Sequence, residues 1–454
     1  MNIRPLSSAG TGSEGRIRFI PTVCGGTRKV GGKPHRTVSA AEAIAAIRPG
    51  DMVFIEGTCG EPRTLVDALV EDKDRLKGTH LLDSRVIAGS PYASLTDFFH
   101  IITMHVSPDL RKGVVEGTID FLPVSLTQTP SLFTTTVPLD VALVHVSPPD
   151  EHGYCSFGAV PGFNRDAALA TRTTIAQVND QMPYTYGDSL IHVNDLDYLV
   201  EVSRPVQPWP EPTIGPDEEA VARVVSERIA DGDTLCIGVG AIPEALLRML
   251  TDRRHLGIHT GMISDSTVDL MESGVVTNER KAVDMGKTVS GAAAGTEKLF
   301  RFIHKNPQVE MYPYTYTHDA NIIRQFDNFI TIVSAIEIDL SGQVNAETIR
   351  GMQISAVGGQ AEWLRGAAAA PGGRSIISFT SAIQGKSSRH SRIIPRLQEG
   401  TITSVPRYDV DSIATEYGIA ELKGKTLAQR ADALIAIAHP DFRDELEKAR
   451  RKID

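Results

Sequence analysis

Apolar residues along the chain follow two alternating rhythms, a helical spacing of three and four and short β-rich bursts. Ser39, Ala40, Ala41 and Glu42 have the capping-box pattern that predicts a helix running through Ile47. Pro49, Gly50 and Asp51 break it, and Met52–Ile55 read as a strand. A glycine-containing loop, Pro62, and a helix carrying Leu65 and Leu69 come next. The same order returns later: Ile229, Asp231-Gly232-Asp233, a strand over Leu235–Ile237, a glycine loop, Pro243, and Leu246 with Leu250.

Gly50 and Gly232 lie 182 residues apart, and Pro62 and Pro243 lie 181 apart. Further on, Asp150 and Gly153 pair with Asp339 and Gly342 at a spacing of 189. Shared order with slowly growing spacing predicts two halves built to one plan, with loop residues added in the second. Strands over Phe329–Val333 and Ile376–Phe379, set between helices, predict an α/β fold: two tandem open domains with mostly parallel sheets. Ligands of such sheets bind beyond the carboxyl ends of the strands.

The break between the halves is Pro205 to Pro216, where five prolines exclude a helix interior or a central strand. It predicts a stiff linker, with a helix starting near Asp217-Glu218-Glu219. The expected division is an N-terminal arm over 1–34, rich in Gly, Ser and Arg, then domains over 35–212 and 213–454.

Composition narrows the classes. The 454 residues are 41% hydrophobic and 22% charged, enough for a large core. Net charge is −10, which argues against a nucleic-acid-binding surface. No apolar run is long enough to span a membrane. Cys24, Cys59, Cys155 and Cys236 form no Cys-x-x-Cys pair, so neither a disulfide framework nor structural zinc is expected, and the expected compartment is the cytoplasm.

Several segments carry candidate chemistry. Gly238-Val239-Gly240-Ala241-Ile242 follows a strand and opens a helix, offering backbone amides to a phosphate, carboxylate or oxyanion; the alternative is a plain tight turn. The third glycine of a dinucleotide fingerprint is missing. Gly358 and Gly359, before Gln360, expose backbone in the same way. The stretch Gln384 to Arg392 is a phosphate-binding candidate or a solvated basic loop. Glu337 stands where the first copy has Pro148, so it is either an acid, base or nucleophile, or half of a salt bridge. His259 is either a base or a hydrogen-bonded core histidine. His145, Asp150 and His152 match no metal spacing and read as a turn, and no metal is expected.

Together these motifs resemble the acetyl-CoA hydrolase/transferase family of class I CoA-transferases, which includes 4-hydroxybutyrate CoA-transferase. The resemblance rests on Val146–Gly158, Ile237–Leu247, Gly257–Leu270, Ser334–Glu347, Val357–Gln360, Thr415–Ala431 and Ile437–Leu446. It implies two CoA-transferase-type domains, coenzyme A as substrate or product between them, a small-molecule acceptor, and a homo-oligomer. Gly238 to Ile242 then look like a CoA-contacting segment, Gly358, Gly359 and Gln360 like the loop facing the thioester, and Lys386 like a CoA-binding lysine. The family typically reads His-Thr-Glu or His-Ser-Glu where this chain reads His259-Thr260-Gly261, and that glutamate is the family's nucleophile. Ala361-Glu362-Trp363 replace the usual Val-Asp-Phe.

Loss of the glutamate predicts a void beside Gly261, into which Gly261→Glu would fit to restore transfer. Three readings follow. A second substrate reacts directly with the bound acyl-CoA, with Glu337 or His259 as base. Or Glu337 takes over as nucleophile and conventional CoA transfer or hydrolysis survives. Or the chain is a non-catalytic CoA-binding protein.

Overall fold

The computed structural model describes residues 35–385 and 387–451. The expected arm over 1–34, Cys24 and Lys386 lie outside the described residues.

The first half is an eight-stranded, wholly parallel sheet. Its strands are β1 (Arg36–Thr37), β2 (Met52–Ile55), β3 (His80–Asp83), β4 (His100–Thr103), β5 (Asp120–Phe121), β6 (Val141–Val146), β7 (Thr173–Asn179) and β8 (Tyr198–Val202). They lie in the order β1-β8-β7-β6-β2-β3-β4-β5. Every residue of β6 and β7 is buried, as expected for strands covered on both faces.

The second half has β9 (Thr234–Ile237), β10 (Gly257–Ile263), β11 (Thr288–Ala293), β12 (Val309–Met311), β13 (Phe329–Ser334), β14 (Arg374–Ser378), β15 (Ser412–Thr415) and β16 (Gly418–Glu421). Their order is β12-β11-β10-β9-β13-β14-β15-β16, parallel except for the last pair. Outward from β2 and β9 the two orders are the same for seven strands; only the edge strands β1 and β16 differ. The repeat read from turn residues is therefore a repeat of topology. It extends to side chains: Asp150 Oδ1 accepts from the amides of His152 and Tyr154, each at 2.9 Å. Asp339 Oδ1 likewise accepts from Ser341 at 2.9 Å and Gln343 at 3.1 Å. Gly153 and Gly342 close the two turns at φ 82° and 96°.

Local expectations and structure differ in small ways. The Ser39–Glu42 capping box is present, but its helix stops at Ile44, and Ile47 is buried in the turn that follows. The helix after the linker runs Pro216–Ser226, with proline in its first turn. The linker is pinned to the second half where Trp209 N donates to Gly295 O at 2.9 Å.

The halves meet edge to loop. Ala293 N donates to Ala159 O at 2.7 Å, Gly162 N to Gly291 O at 3.2 Å, and Met311 N to Tyr186 O at 2.7 Å. Phe163 stands edge-on to Tyr314 across this junction, ring centroids 4.9 Å apart. Ser125 Oγ also donates to Glu362, and Arg111 Nε to Ile354 O at 3.0 Å. No helix among the described residues is long and apolar enough to cross a membrane.

Candidate active site

Three neighbouring strands, β10, β9 and β13, carry the predicted site at their carboxyl ends. Gly238 leaves β9 with its amide on Ile332 O at 3.0 Å, and Gly240, at φ 131°, caps the Ala241–Met249 helix. Gly359 caps the Gln360–Ala369 helix, which the Gln360 side chain ties to the end of β13 through Ser334 O at 3.2 Å. Gly261 lies near the end of β10.

Side-chain alternation along β10 divides these residues between the two faces of the sheet. Ile258, Thr260 and Met262 face a cavity of about 440 Å³, whose walls include Ile237, Leu247, Gly238, Val239, Gly240 and Trp209 of the linker. Glu244 at its edge is nearly buried and accepts from Ser264 Oγ at 2.9 Å and from Ser266 Oγ. Ala241 is half-buried, and Ile242 packs into the core behind the loop. His259 and Gly261 face the opposite side.

On that side the expected void is filled. A β-carbon on Gly261 would stand 2.6 Å from Trp363 Cζ2 and 2.9 Å from His318 Cε1. Trp363, 8% exposed, is stacked on His318 with centroids 4.3 Å apart and planes 21° apart. Indole and imidazole together occupy the space a longer side chain at 261 would need. The glycine is required by this contact, since its φ is not in the left-handed region. The opposite edge of His318 lies against Gly359, whose β-carbon would overlap His318 Cδ2 and Nε2. His318 is 1% exposed, its Nδ1 is 2.9 Å from Thr317 Oγ1, and burial pushes its pKa down to about 3.

His259 has no exposed surface and packs on Phe326 (centroids 4.8 Å), Tyr316 and Phe329. Burial, with the nearby Lys281, holds its pKa well below the usual histidine value. This is core packing, with no face presented to a ligand. Glu337, on the short strand Glu337–Asp339, is half-buried and accepts from Asn345 Nδ2 at 2.9 Å. Gly358 is half-exposed, at φ 60° with open space beside it. In the basic stretch, Arg392 turns inward to Ile336 O at 2.7 Å and to Ala335 O, while Arg389 pairs with Asp441 at 3.2 Å. No group of three potential metal ligands occurs among the described residues.

Sequence reasoning missed two residues here. His318 follows an aromatic run, Tyr312 to Tyr316, that carries no motif. Glu56 at the end of β2 is buried at the junction of the halves, accepting from Ser84 Oγ at 2.5 Å, Gly57 N at 3.1 Å and Phe163 N at 3.4 Å. Burial raises its pKa to about 7. Trp363 was visible as a departure, and exchange of an aromatic residue for a larger one near a lost side chain was the available signal.

Comparison with known proteins agrees with this architecture. The profile for the acetyl-CoA hydrolase/transferase N-terminal domain matches residues 29–208, and that for the C-terminal domain matches 295–450. The chain is 41% identical to a 4-hydroxybutyrate coenzyme A transferase of Clostridium kluyveri, over 91% of this chain and 96% of that one. It is 38% identical to a succinyl-CoA:cyclohexane-1-carboxylate CoA transferase of Geobacter metallireducens, over 92% and 96%. Among solved structures, RipA from Yersinia pestis superposes with a TM-score of 0.86 at 32% identity, covering 92% of this chain and 97% of that one. A 4-hydroxybutyrate CoA-transferase of Porphyromonas gingivalis does so at 0.79, with the same identity and coverage. The chain belongs to the acetyl-CoA hydrolase/transferase family, as an enzyme of CoA-transferase type.

Proposed function

We propose that the protein binds an acyl-CoA thioester between its halves and reacts it directly with a second substrate, without a glutamyl–CoA intermediate at residue 261. One observation carries this reading: the indole of Trp363 stands 2.6 Å from where a side chain at Gly261 would begin. Glycine offers no nucleophile, and the surrounding packing leaves no room for a substitute at that position. The void in which an acceptor was expected to sit does not exist, so the acceptor has to approach from the open side of Gly358.

In this reading the amides at Gly358 and Gly359 hold the developing oxyanion. The first turn of the Gln360–Ala369 helix adds its positive end. Gly238 to Ile242, with Gln360 and Lys386, are the proposed contacts to coenzyme A. Glu337 is held by Asn345 in the same half and is the carboxylate we assign as base or nucleophile.

Isotope exchange tests the proposal. A covalent CoA-transferase moves a labelled carboxylate into its own acyl-CoA without any second substrate, because each half-reaction is reversible. Incubation with butyryl-CoA and labelled butyrate should give no label in the thioester, while free CoA accumulates with water, amine, alcohol or carboxylate acceptors. Rapid exchange would restore the conventional mechanism, with Glu337 the first residue to test. Neither exchange nor CoA release would leave a CoA-binding protein without turnover.

A further inference from the structure

The segment that carries Gly358 and Gly359 is held from both halves. At its entry, Arg111 Nε of the first half donates to Ile354 O at 3.0 Å, and the helix Arg111–Glu116 packs against the short strand Met352–Gln353. At its exit, Ser125 Oγ of the first half donates to the Glu362 carboxylate. Ser125 has a single hydroxyl proton, so Thr127 Oγ1, 3.1 Å away, is the donor to Ser125 in that chain of hydrogen bonds. The Ser125 carbonyl is fixed in turn by the amides of Gln128 at 3.2 Å and Thr129 at 3.0 Å.

Glu362 is the third residue of the Gln360–Ala369 helix, counted from its cap Gly359. A Glu or Gln at that position ordinarily turns back to accept from the amide of the cap residue. Three other helices of this chain do so. Ser39 N donates to Glu42 Oε2 at 2.9 Å, Gly215 N to Glu218 Oε2 at 3.0 Å, and Thr426 N to Gln429 Oε1 at 3.0 Å. Gly215 is itself a glycine cap, so the arrangement needs no side chain on the cap. Glu362 is drawn the other way, across the junction.

We infer that Ser125 is a positioning residue of the thioester site: it holds the Glu362 carboxylate off the Gly359 amide, so the site is complete only while the halves are joined. The inference rests on the proposed role of the Gly358 and Gly359 amides as oxyanion donors.

Without Ser125, the carboxylate has the positive end of its own helix and the cap amide as its next partners. Turning back requires Gly359 to rotate from ψ 12° to the extended value seen at Gly215, 172°, a change that glycine makes at little cost. The amide is then occupied, and a fixed negative charge stands where the oxyanion would form.

The test follows CoA release from butyryl-CoA, with water, amine, alcohol or carboxylate acceptors, in wild type, Ser125→Ala, Ser125→Thr and the double variant Ser125→Ala/Glu362→Ala. Ser125→Ala should lower kcat about 10–100-fold with KM unchanged, less than outright loss of an oxyanion donor. Ser125→Thr keeps the hydroxyl and should stay within a few fold of wild type. Removing the carboxylate from the Ser125→Ala protein should restore most of the lost kcat, which simple loss of a contact between the halves cannot do. Hydrogen–deuterium exchange of the segment 354–362 gives a readout free of turnover. Exchange at the Gly359 amide should slow in Ser125→Ala and recover in the double variant. Unchanged kcat in Ser125→Ala, a double variant no better than the single one, or exchange that does not slow would overturn the inference. If wild type neither releases CoA nor exchanges label, the direct-reaction reading fails, and the hydrogen-exchange comparison alone decides whether Ser125 restrains Glu362.

Discussion

Trp363 and Gly261, far apart in sequence, share one volume: the indole edge lies 2.6 Å from the β-carbon position of the glycine. The pair should behave as a coupled unit. Gly261→Ala is expected to lower stability by about 1–3 kcal/mol through overpacking. Adding Trp363→Phe should recover most of that loss, as read from urea midpoints. For the same reason Gly261→Glu alone should yield no label-exchange activity. A neutral Gly261→Ala would mean the stack yields easily and the steric argument is wrong.

The neighbouring glycines of the thioester-facing loop should respond differently. Gly358 has open space beside it and only its left-handed φ of 60° to oppose a side chain, a cost of about 1–2 kcal/mol. Gly359 has the imidazole of His318 in that place. Gly358→Ala should keep kcat/KM within a few fold, whereas Gly359→Ala should displace His318 and lose most CoA release. Equal effects would mean that the contact between Gly359 and His318 does not hold the loop in place.

In the first half, Arg85 and Glu61 form an ion pair whose side chains are both fully buried. Removing one charge leaves the other buried without compensation. Glu61→Gln should therefore cost about 3–5 kcal/mol in denaturant unfolding. A loss below about 1 kcal/mol would indicate that Asp83, beside Arg85, carries the compensation instead.

Glu56 gives the fold a pH dependence. Its folded pKa is raised from 4.5 to about 7 by burial, so the folded state holds a proton that the unfolded state has released between those values. Its stabilising contribution is full below pH 4.5 and is lost as pH rises through about 7. Between pH 5 and 8 wild type should lose up to about 3 kcal/mol relative to Glu56→Gln. Parallel stability curves for the two proteins would contradict the buried, protonated carboxyl.

Much of the fold was legible because turns are written locally. Gly50, Gly232, Asp150 and Asp339 each act through their own backbone or the next few amides, so their spacing revealed the duplicated plan. Gly238–Gly240 and Gly358–Gly359 were legible as backbone-exposing turns for the same reason. The contents of the site were not. Whether the space at Gly261 is empty depends on two side chains delivered by a different loop and a different helix, and His318 has no signature of its own. His259 looked like a base beside Gly261 and does share its face of the strand, but Phe326, Tyr316 and Phe329 enclose it in the core.

The most direct measurement is intact-protein mass spectrometry of the chain quenched during turnover of butyryl-CoA, with borohydride added to capture any protein-bound thioester. The account predicts free CoA in solution and a protein of unchanged mass. A CoA-sized increment, or a carboxylate reduced to an alcohol at Glu337 or any other residue, would contradict it.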